Sequence, residues 1–246
     1  MLIIMNTDLK KIKAKFRYVN DEQKSRFNSS SCVLGISVGQ EVHEGELFDI
    51  TLQLIGKSFV SCNILVDDTL QRYTMAMLNG GIPDDYRDIA VKNGDLWLER
   101  NSKRIETLSI PYKIFRYEHW LSHPQFNEYK TKIINLLNSH AEFKHVFDST
   151  CNKFVDKCCS RQQCKDMDIE KLKSFSSGYL MEECVTYCLL IDLSCQFKVH
   201  PGVRNMAREL TRDLLIAPTH PELLQHVGVY FKNVSPFKPQ RFELIE

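Results

Sequence analysis

Two apolar segments on either side of an amphipathic segment restrict the fold of this chain more than any other feature. Residues 32–38 are an almost continuous apolar run, which is typical of a strand covered on both faces. Residues 46–55 place apolar side chains at helical spacing, and residues 63–67 form a second buried strand. This order predicts a βαβ unit, whose two strands lie parallel and are joined by a right-handed crossover.

The rest of the chain continues the alternation of strands and helices. We predict a third strand over residues 107–115, helices over residues 126–147 and 175–190, and a late strand over residues 194–199. The pattern is that of an α/β protein with a Rossmann-like, doubly wound parallel sheet. In such sheets, ligands bind beyond the carboxyl ends of the strands.

A short basic segment precedes the first buried strand. Residues 1–30 carry seven Lys or Arg against three Asp or Glu, and residues 9–16 read as an amphipathic helix. We therefore expect a basic N-terminal extension over residues 1–30. Residues 31–246 have a length that suits one Rossmann-like domain.

Charge and cysteine content limit the partners and the compartment. The formal net charge is only +1, so the chain as a whole lacks the strongly basic character of many nucleic-acid-binding domains. No apolar run approaches the roughly 18 residues of a membrane helix. No secretory signal precedes the nine irregularly spaced cysteines. We expect a cytoplasmic protein with reduced thiols and no membrane partner.

Ser37 lies where the first buried strand ends, at the edge of the sheet where ligands bind. It stands in the sequence Gly-Ile-Ser-Val-Gly, which matches the G-x-S-x-G nucleophile elbow of α/β-hydrolases. That elbow needs a helix directly after the serine, whereas residues 39–45 read as a loop. The acid and histidine of a hydrolase have two candidate pairs, Asp192 with His200 and Asp213 with His220. A serine hydrolase is therefore one alternative function.

A phenol and a carboxylate share one face of the predicted helix over residues 175–190. Tyr179 and Glu183 are four residues apart, and this spacing places both side chains on the same side of a helix. A carboxylate can hold an ammonium group or accept its proton, which an amine needs before it attacks an ester. The neighbouring apolar residues indicate that much of this helix is covered, and a covered Glu needs a partner or a function.

The sequence does not favour a metal or nucleotide site. Four cysteines cluster without the C-x-x-C spacing and nearby histidines of zinc sites; they are Cys151, Cys158, Cys159 and Cys164. We expect these cysteines to be small core side chains. No glycine-rich phosphate loop is present in the sequence, so we predict neither a metal nor a cofactor.

Several ordered pieces of the sequence resemble a known family. They are residues 35–39 (GISVG), 43–45 (HEG) and 64–72 (ILVDDTLQR), the pair Tyr179 and Glu183, and residues 200–202 (HPG). Over roughly residues 31–238 the chain resembles the tRNA-dependent cyclodipeptide synthases. This resemblance implies a fold similar to the catalytic domain of class I aminoacyl-tRNA synthetases. The H-I-G-H and K-M-S-K-S motifs of those synthetases are missing from the sequence, so no ATP site is implied.

The resemblance also implies an activity. Members join two aminoacyl groups from aminoacyl-tRNAs into a cyclic dipeptide, a 2,5-diketopiperazine, and they need no nucleotide because the ester is already activated. Ser37 matches the nucleophile that receives the first aminoacyl group, and cyclisation later releases the dipeptide from Ser37. Tyr179 and Glu183 match the pair that holds the α-amino group and handles its proton. Ping-pong kinetics and a monomer are expected.

The family's pocket for the first amino-acid side chain carries over to several positions. Val33, Gly35 and Leu65 match residues that line this pocket, and Tyr117 is placed with them. Phe126 stands where some members have a tyrosine, so one pocket hydroxyl is missing here.

Two positions distinguish the branches of the family. One branch has Asn three residues after the serine and Tyr-His late in the chain, whereas the other has a variable residue and Tyr-Pro. Gln40 and the sequence His200-Pro201 place this chain nearer the Tyr-Pro branch. His200 replaces the tyrosine, and its titration range makes it a candidate catalytic group.

A tRNA partner needs a local basic patch rather than a basic protein. The candidates are Arg87, Lys92, Arg100, Lys103 and Arg104, together with the N-terminal Lys10, Lys11, Lys13 and Lys15. A tRNA-binding, synthetase-like module without catalysis is the other alternative function.

Overall fold

The computed structural model describes residues 12–159 and 168–232. Within these ranges the strands are β1 (Lys13–Arg17), β2 (Ser31–Ser37), β3 (Ser61–Asp67), β4 (Tyr112–Arg116), β5 (Phe197–His200) and β6 (Gln225–Lys232). The helices are α1 (Asp21–Ser25), α2 (Gly45–Gly56), α3 (Gln71–Asn79), α4 (Arg87–Ile105), α5 (Tyr117–Leu121), α6 (Phe126–Ser139), α7 (Ala141–Cys159), α8 (Ile169–Leu189) and α9 (Met206–Thr211). None of these helices is long and apolar enough to cross a lipid bilayer.

One sheet with the strand order β1-β6-β5-β2-β3-β4 organises the described chain. Strands β6, β5, β2, β3 and β4 run parallel, and β1 pairs antiparallel with β6 at the edge. The chain builds outward from β2 to β4 and then returns to the other side of β2. This reversal confirms the doubly wound, Rossmann-like fold, and it creates a switch point between β2 and β5, where such sheets bind ligands.

The two faces of the sheet carry two different cores. Leu34 and Ile36 of β2 point into a cluster with Trp97 of α4 and with side chains of α2. Val33 and Leu65 point to the opposite face, which α5–α9 cover. Successive side chains of a strand alternate between faces. Ser37 therefore lies on the same face as Val33, beneath α8.

The prediction of a helix over residues 9–16 is wrong where the structure describes this segment. Residues Lys13–Arg17 form the edge strand β1, with Phe16 packed against Phe27 and Phe59. Polar and apolar residues alternate along this strand, and a short run of this kind does not separate strand from helix without its tertiary partner. Part of the expected N-terminal extension is thus a strand of the main sheet.

Other predicted elements are confirmed with changed boundaries. The third strand is shorter, because residues before Tyr112 form a turn and Pro111, which lacks a backbone N–H, precedes the strand. The predicted helix over residues 126–147 is two helices that meet at His140. The Nδ1 atom of His140 accepts a hydrogen bond from the Phe143 backbone at 3.1 Å and so caps the second helix. Strand β6 was not predicted.

Candidate active site

The backbone of Ser37 is fixed by a buried histidine. The Ser37 N–H donates to Nδ1 of His43 at 3.1 Å, and the Ser37 carbonyl accepts from the Gln40 N–H at 3.2 Å. Burial lowers the pKa of His43 to about 4, so its imidazole is neutral and can accept this bond. Gly39 has φ +83°, a conformation that glycine adopts without strain. This turn holds the half-buried Ser37 at the end of β2, beside Asp67 of β3.

The surroundings of Ser37 differ from a serine hydrolase site. No described residue hydrogen-bonds to the Ser37 hydroxyl, and α2 begins only at Gly45, so the nucleophile elbow is missing. Nδ1 of His200 lies 3.4 Å from the carbonyl oxygen of Gly35, and Asp192 pairs instead with His123 at 3.0 Å. The other proposed acid, Asp213, pairs with Arg212. Neither acid–histidine pair therefore forms, which argues against the hydrolase alternative.

Helix α8 carries Glu183, whose carboxylate is held from two sides. One oxygen lies 3.0 Å from Nη1 of Arg208, and the other accepts a hydrogen bond from Nδ2 of Asn205 at 2.7 Å. Asn205 also caps α9, because its side-chain oxygen accepts from the backbone of Ala207 and Arg208. The start of α9 thus orients the carboxylate that the sequence singled out.

Tyr179 lies one helical turn before Glu183. Its ring stacks on Phe154 at a centroid distance of 6.0 Å and meets the edge of Tyr73 at 6.4 Å. Burial raises the pKa of Tyr179 well above its ordinary value, and the nearby carboxylates of Glu183 and Asp67 raise it further. The phenol therefore keeps its proton at neutral pH and can act as a hydrogen-bond donor.

Two acidic residues adjacent to the site have structural partners. Glu182 accepts hydrogen bonds from Arg72 at 2.6 Å and from Tyr73 at 2.7 Å. Asp68 forms an ion pair with Arg116 and is 1% exposed. Asp67 and Glu183 therefore face the site. Their chain neighbours Asp68 and Glu182 instead form contacts between elements of the fold.

A cavity of about 10 Å³ lies between the sheet and α8. Its lining residues are Leu65, Asp67, Tyr117, Glu183, Thr186, Tyr187, Leu190, Lys198 and Arg208. Burial raises the pKa of Asp67 to about 7 and lowers the pKa of Lys198 to about 8, while the attraction between the two opposes both shifts. Our sequence reasoning missed Lys198 and Arg208. The sequence does contain a signal for Lys198. It stands between two apolar residues, Phe197 and Val199, whose side chains lie on the opposite face of β5.

The predicted pocket residues differ in how they lie relative to the cavity. Leu65 and Tyr117 line the cavity, and Val33 is paired in register with Lys198. Gly35 lies beside the Lys198 side chain. Gln40 is exposed on the turn after Ser37, and its contact with Ser37 is through the backbone. Phe126 begins α6, where it packs on the core without lining the cavity.

His200 ends β5 on the other side of the switch point from Ser37. Its ring lies 5.7 Å from the ring of His43 between centroids. Burial lowers the pKa of His200 well below its ordinary value, and the positive charge of Arg208 lowers it further. The imidazole is therefore neutral at physiological pH, which suits a hydrogen-bonding group.

The predicted tRNA contacts lie on α4. Lys92 and Lys103 are exposed, whereas Arg87, Arg100 and Arg104 form ion pairs with Glu118, Glu44 and Asp49 respectively. Lys13 and Lys15 lie on β1, and Lys10 and Lys11 fall outside the described residues.

The cysteine cluster forms no metal centre in the described part of the chain. In residues 12–159 and 168–232, no group of three or more His, Cys, Asp or Glu side chains is placed to hold a metal ion. Cys151 and Cys158 are buried, as predicted for core side chains, whereas Cys159 is exposed. Cys164 lies outside the described residues.

Comparisons with known proteins identify structural relatives. No protein-family model and no curated protein matches the chain. A cyclodipeptide synthase (CDPS) from Fluoribacter dumoffii is 35% identical, with a TM-score of 0.86, and the match covers 90% of this chain and 99% of that one. A cyclodipeptide synthase from Candidatus Glomeribacter gigasporarum bound to Phe-tRNAPhe is 18% identical, with a TM-score of 0.69, and covers 88% and 92%.

A third structure extends the comparison of the fold. A Mycobacterium tuberculosis protein, whose structure relates cyclodipeptide synthetases to type I tRNA synthetases, is 11% identical and has a TM-score of 0.61; the match covers 89% of this chain and 92% of that one. Matches at this low identity support the fold alone. The 35% identity to the Fluoribacter dumoffii protein extends over nearly the whole of both chains. On this basis, the chain belongs to the cyclodipeptide synthase family.

Proposed function

We propose that this enzyme takes two aminoacyl groups from aminoacyl-tRNAs and joins them through an aminoacyl ester on Ser37. The observation that carries this proposal is that Ser37, whose backbone is fixed and whose hydroxyl has no described partner, ends β2 beside Asp67, and that Asp67 lines the same charged cavity as Glu183. The relative that was solved bound to Phe-tRNAPhe supports the choice of substrate.

The first step is a transesterification. The Ser37 hydroxyl attacks the carbonyl carbon of an aminoacyl-tRNA, its proton passes to the leaving ribose oxygen, and free tRNA departs. No nucleotide is consumed, because the bond broken and the bond formed are both esters. The aminoacyl group is now tethered in the site, which supplies the proximity for the later steps.

The second and third steps require a free amine. The α-ammonium group of the tethered residue lies at Glu183 and Tyr179, which hold it and take its proton. This amine then attacks the ester of a second aminoacyl-tRNA; the ester bond breaks, the second tRNA leaves with a proton on its ribose oxygen, and a dipeptide remains on Ser37. The new terminal amine finally attacks the Ser37 ester, which closes the diketopiperazine and returns the hydroxyl. We assign His200, as a neutral ring, to a hydrogen bond during this closure.

The tRNA lies over α4 in this proposal. Lys92 and Lys103 are eleven residues apart on the exposed side of the helix, which is about three turns. Their ammonium groups are spaced to contact separate phosphates, and Arg87, Arg100 and Arg104 add charge once they exchange carboxylate partners for phosphate. We also propose that the enzyme acts as a cytoplasmic monomer, which light scattering of the purified protein would check.

Two sequence positions support the Tyr-Pro branch of the family. Gln40 is exposed, and its side chain makes no hydrogen bond with a described residue. It therefore does not reproduce the ordered role that an Asn at this position would need. His200 and Pro201 occupy the end of β5 where this branch has Tyr-Pro.

Mass spectrometry of a bacterial host that expresses the chain tests the function. We expect a new cyclic dipeptide in the medium with the wild-type protein and none with Ser37→Ala, whose folding is checked by its melting temperature. Ser139→Ala, which changes an exposed helical serine, is the matched control and should keep full production. Product from Ser37→Ala would overturn the role of Ser37. Binding of tRNA without any product would favour the non-catalytic module.

A further inference from the structure

A buried ammonium and a buried carboxylate face the same cavity and attract each other, but no hydrogen bond or close ion pair joins them. Lys198 is 2% exposed and Asp67 is 7% exposed, and both line the cavity. Among the described residues neither charged group makes a hydrogen bond, and no ion pair of 4.0 Å or less joins the two. A charged group that is buried in this way costs free energy unless something pairs with it. These groups therefore point to a ligand that fits between them.

The chain makes specific room for this ammonium. Gly35 of β2 lies directly beside Lys198, and a Cβ atom at Gly35 would be 2.6 Å from Nζ. Any larger residue at position 35 would push the ammonium out of its place, since real contacts of this kind are longer. Gly35, Lys198 and Asp67 thus form one matched arrangement on three adjacent strands.

Two hydroxyl groups in the cavity wall are buried beside each other. The Tyr117 Oη and Thr186 Oγ1 atoms interact with one another, and neither has a hydrogen bond of good geometry with any other described residue. Buried polar groups are normally paired. The cavity therefore offers more hydrogen-bonding capacity than the protein itself uses.

We propose that Lys198 and Asp67 bind the side chain of the first aminoacyl group, and that this side chain is a short one that carries a hydroxyl or a carboxamide. The inference rests on the proposed function, in which Ser37 receives that group. A hydroxyl or carboxamide can accept a hydrogen bond from Lys198 and donate one to Asp67 at the same time. Such a side chain would pair both buried charges.

Other side chains fit this arrangement less well. A carboxylate would meet Lys198 but would be repelled by Asp67 and Glu183, and a cationic side chain would be repelled by Lys198 and Arg208. An alkyl side chain would leave both charged groups without a hydrogen-bonding partner. A cavity of about 10 Å³ holds roughly one water molecule, so a long or aromatic side chain would have to displace its wall much further than a hydroxyl or a carboxamide would. Sites built to hydrogen-bond a substrate discriminate strongly against analogues that lack the group.

Intact-protein mass spectrometry tests this specificity. The purified enzyme is mixed with tRNA charged with serine, threonine, asparagine, alanine, valine or phenylalanine, and acid quenching preserves the ester on Ser37. We expect the hydroxyl and carboxamide substrates to acylate Ser37 at least about tenfold faster than alanine or valine. In Lys198→Met this preference should fall at least about tenfold, whereas Lys113→Met, on exposed β4, should keep it.

The outcomes separate this inference from the proposed function. If alanine or valine acylates Ser37 of the wild-type enzyme as fast as, or faster than, the hydroxyl and carboxamide substrates, the proposed specificity is wrong while the proposed function is supported. An unchanged preference in Lys198→Met would likewise overturn the role of Lys198. If Lys198→Met fails to fold, the double variant Lys198→Met/Asp67→Asn removes both charges and is scored in the same way. No ester on Ser37 with any charged tRNA would overturn both proposals.

Discussion

Replacement of Glu182 by alanine would test whether this carboxylate of α8 has a structural role that differs from the role of its neighbour Glu183. Glu182 accepts two hydrogen bonds, from Arg72 at 2.6 Å and from Tyr73 at 2.7 Å, and these link α8 to α3. The side chains of Arg72 and Glu182 are 8% and 14% exposed. Loss of Glu182 would leave the Arg72 guanidinium buried. Its remaining partners would be the Thr69 carbonyl at 3.1 Å, the Tyr73 hydroxyl at 3.5 Å together with the Tyr73 ring, and an exposed Asp84 carboxylate at 3.8 Å.

The size of the effect follows from this burial. Removal of one partner from a fully buried ion pair costs about 3–5 kcal/mol. The slight exposure of Glu182 and the remaining contacts of Arg72 place this variant at the lower end, near 3 kcal/mol of unfolding free energy. In a protein of this size each kcal/mol lowers the melting temperature by roughly 2–4 °C. We therefore expect Glu182→Ala to melt about 6–12 °C lower.

Calorimetry and urea unfolding of Glu182→Ala, Arg72→Met and the double variant would measure this coupling. The double variant should cost less than the sum of the single variants, because it leaves no unpaired charge. Glu128→Ala is a matched control, since its pair with Lys132 is exposed to solvent and its loss should leave the melting temperature almost unchanged. Additive effects, or a shift of under about 2 °C for Glu182→Ala, would refute the assignment of a structural role.

Three further predictions concern the site itself. Glu183→Gln cannot take up the amine proton, so Ser37 should still be acylated while product formation falls by about 10²-fold in a radiometric assay. The pKa of Asp67 is raised to about 7, so the folded state binds this proton more tightly than the unfolded state. This contribution to the unfolding free energy is present below about pH 4 and is lost as the pH rises to about 7. Urea unfolding at several pH values should show this decrease in the wild-type protein and not in Asp67→Asn. Lys92→Ala/Lys103→Ala should reduce the salt slope of tRNA binding by about two in filter assays, and an unchanged slope would contradict contact with phosphate.

Much of the central fold could be predicted from local patterns. Strands β2 and β3 and helix α2 are confirmed almost to the residue. A fully buried strand and an amphipathic helix can each be recognised from the pattern of apolar residues within the segment itself. Strand β1 could not be predicted in this way. Its pairing with β6 depends on residues more than 200 positions away, and its five residues are too few to fix a period.

The candidate site was predicted only where sequence motifs exist. Ser37, Tyr179 and Glu183 stood out by position, spacing and family resemblance, and they remain predictions as catalytic residues. Their surroundings were hidden, because Arg208 and Asn205 reach Glu183 from another helix. Local sequence patterns do not indicate which residues of one helix will contact a residue of another helix.

The parallel α/β architecture and the position of Ser37 at the end of a central strand could be predicted from local sequence, because hydrophobic periodicity and strand length are local properties. The set of charged residues in the cavity depends on how the strands pair. Lys198 and Asp67 lie on different strands, and Gly35 makes room for the ammonium only through the register that aligns the three strands. The electrostatic character of the site is therefore a property of the assembled sheet, because a buried charge is defined by the neighbours that folding brings to it.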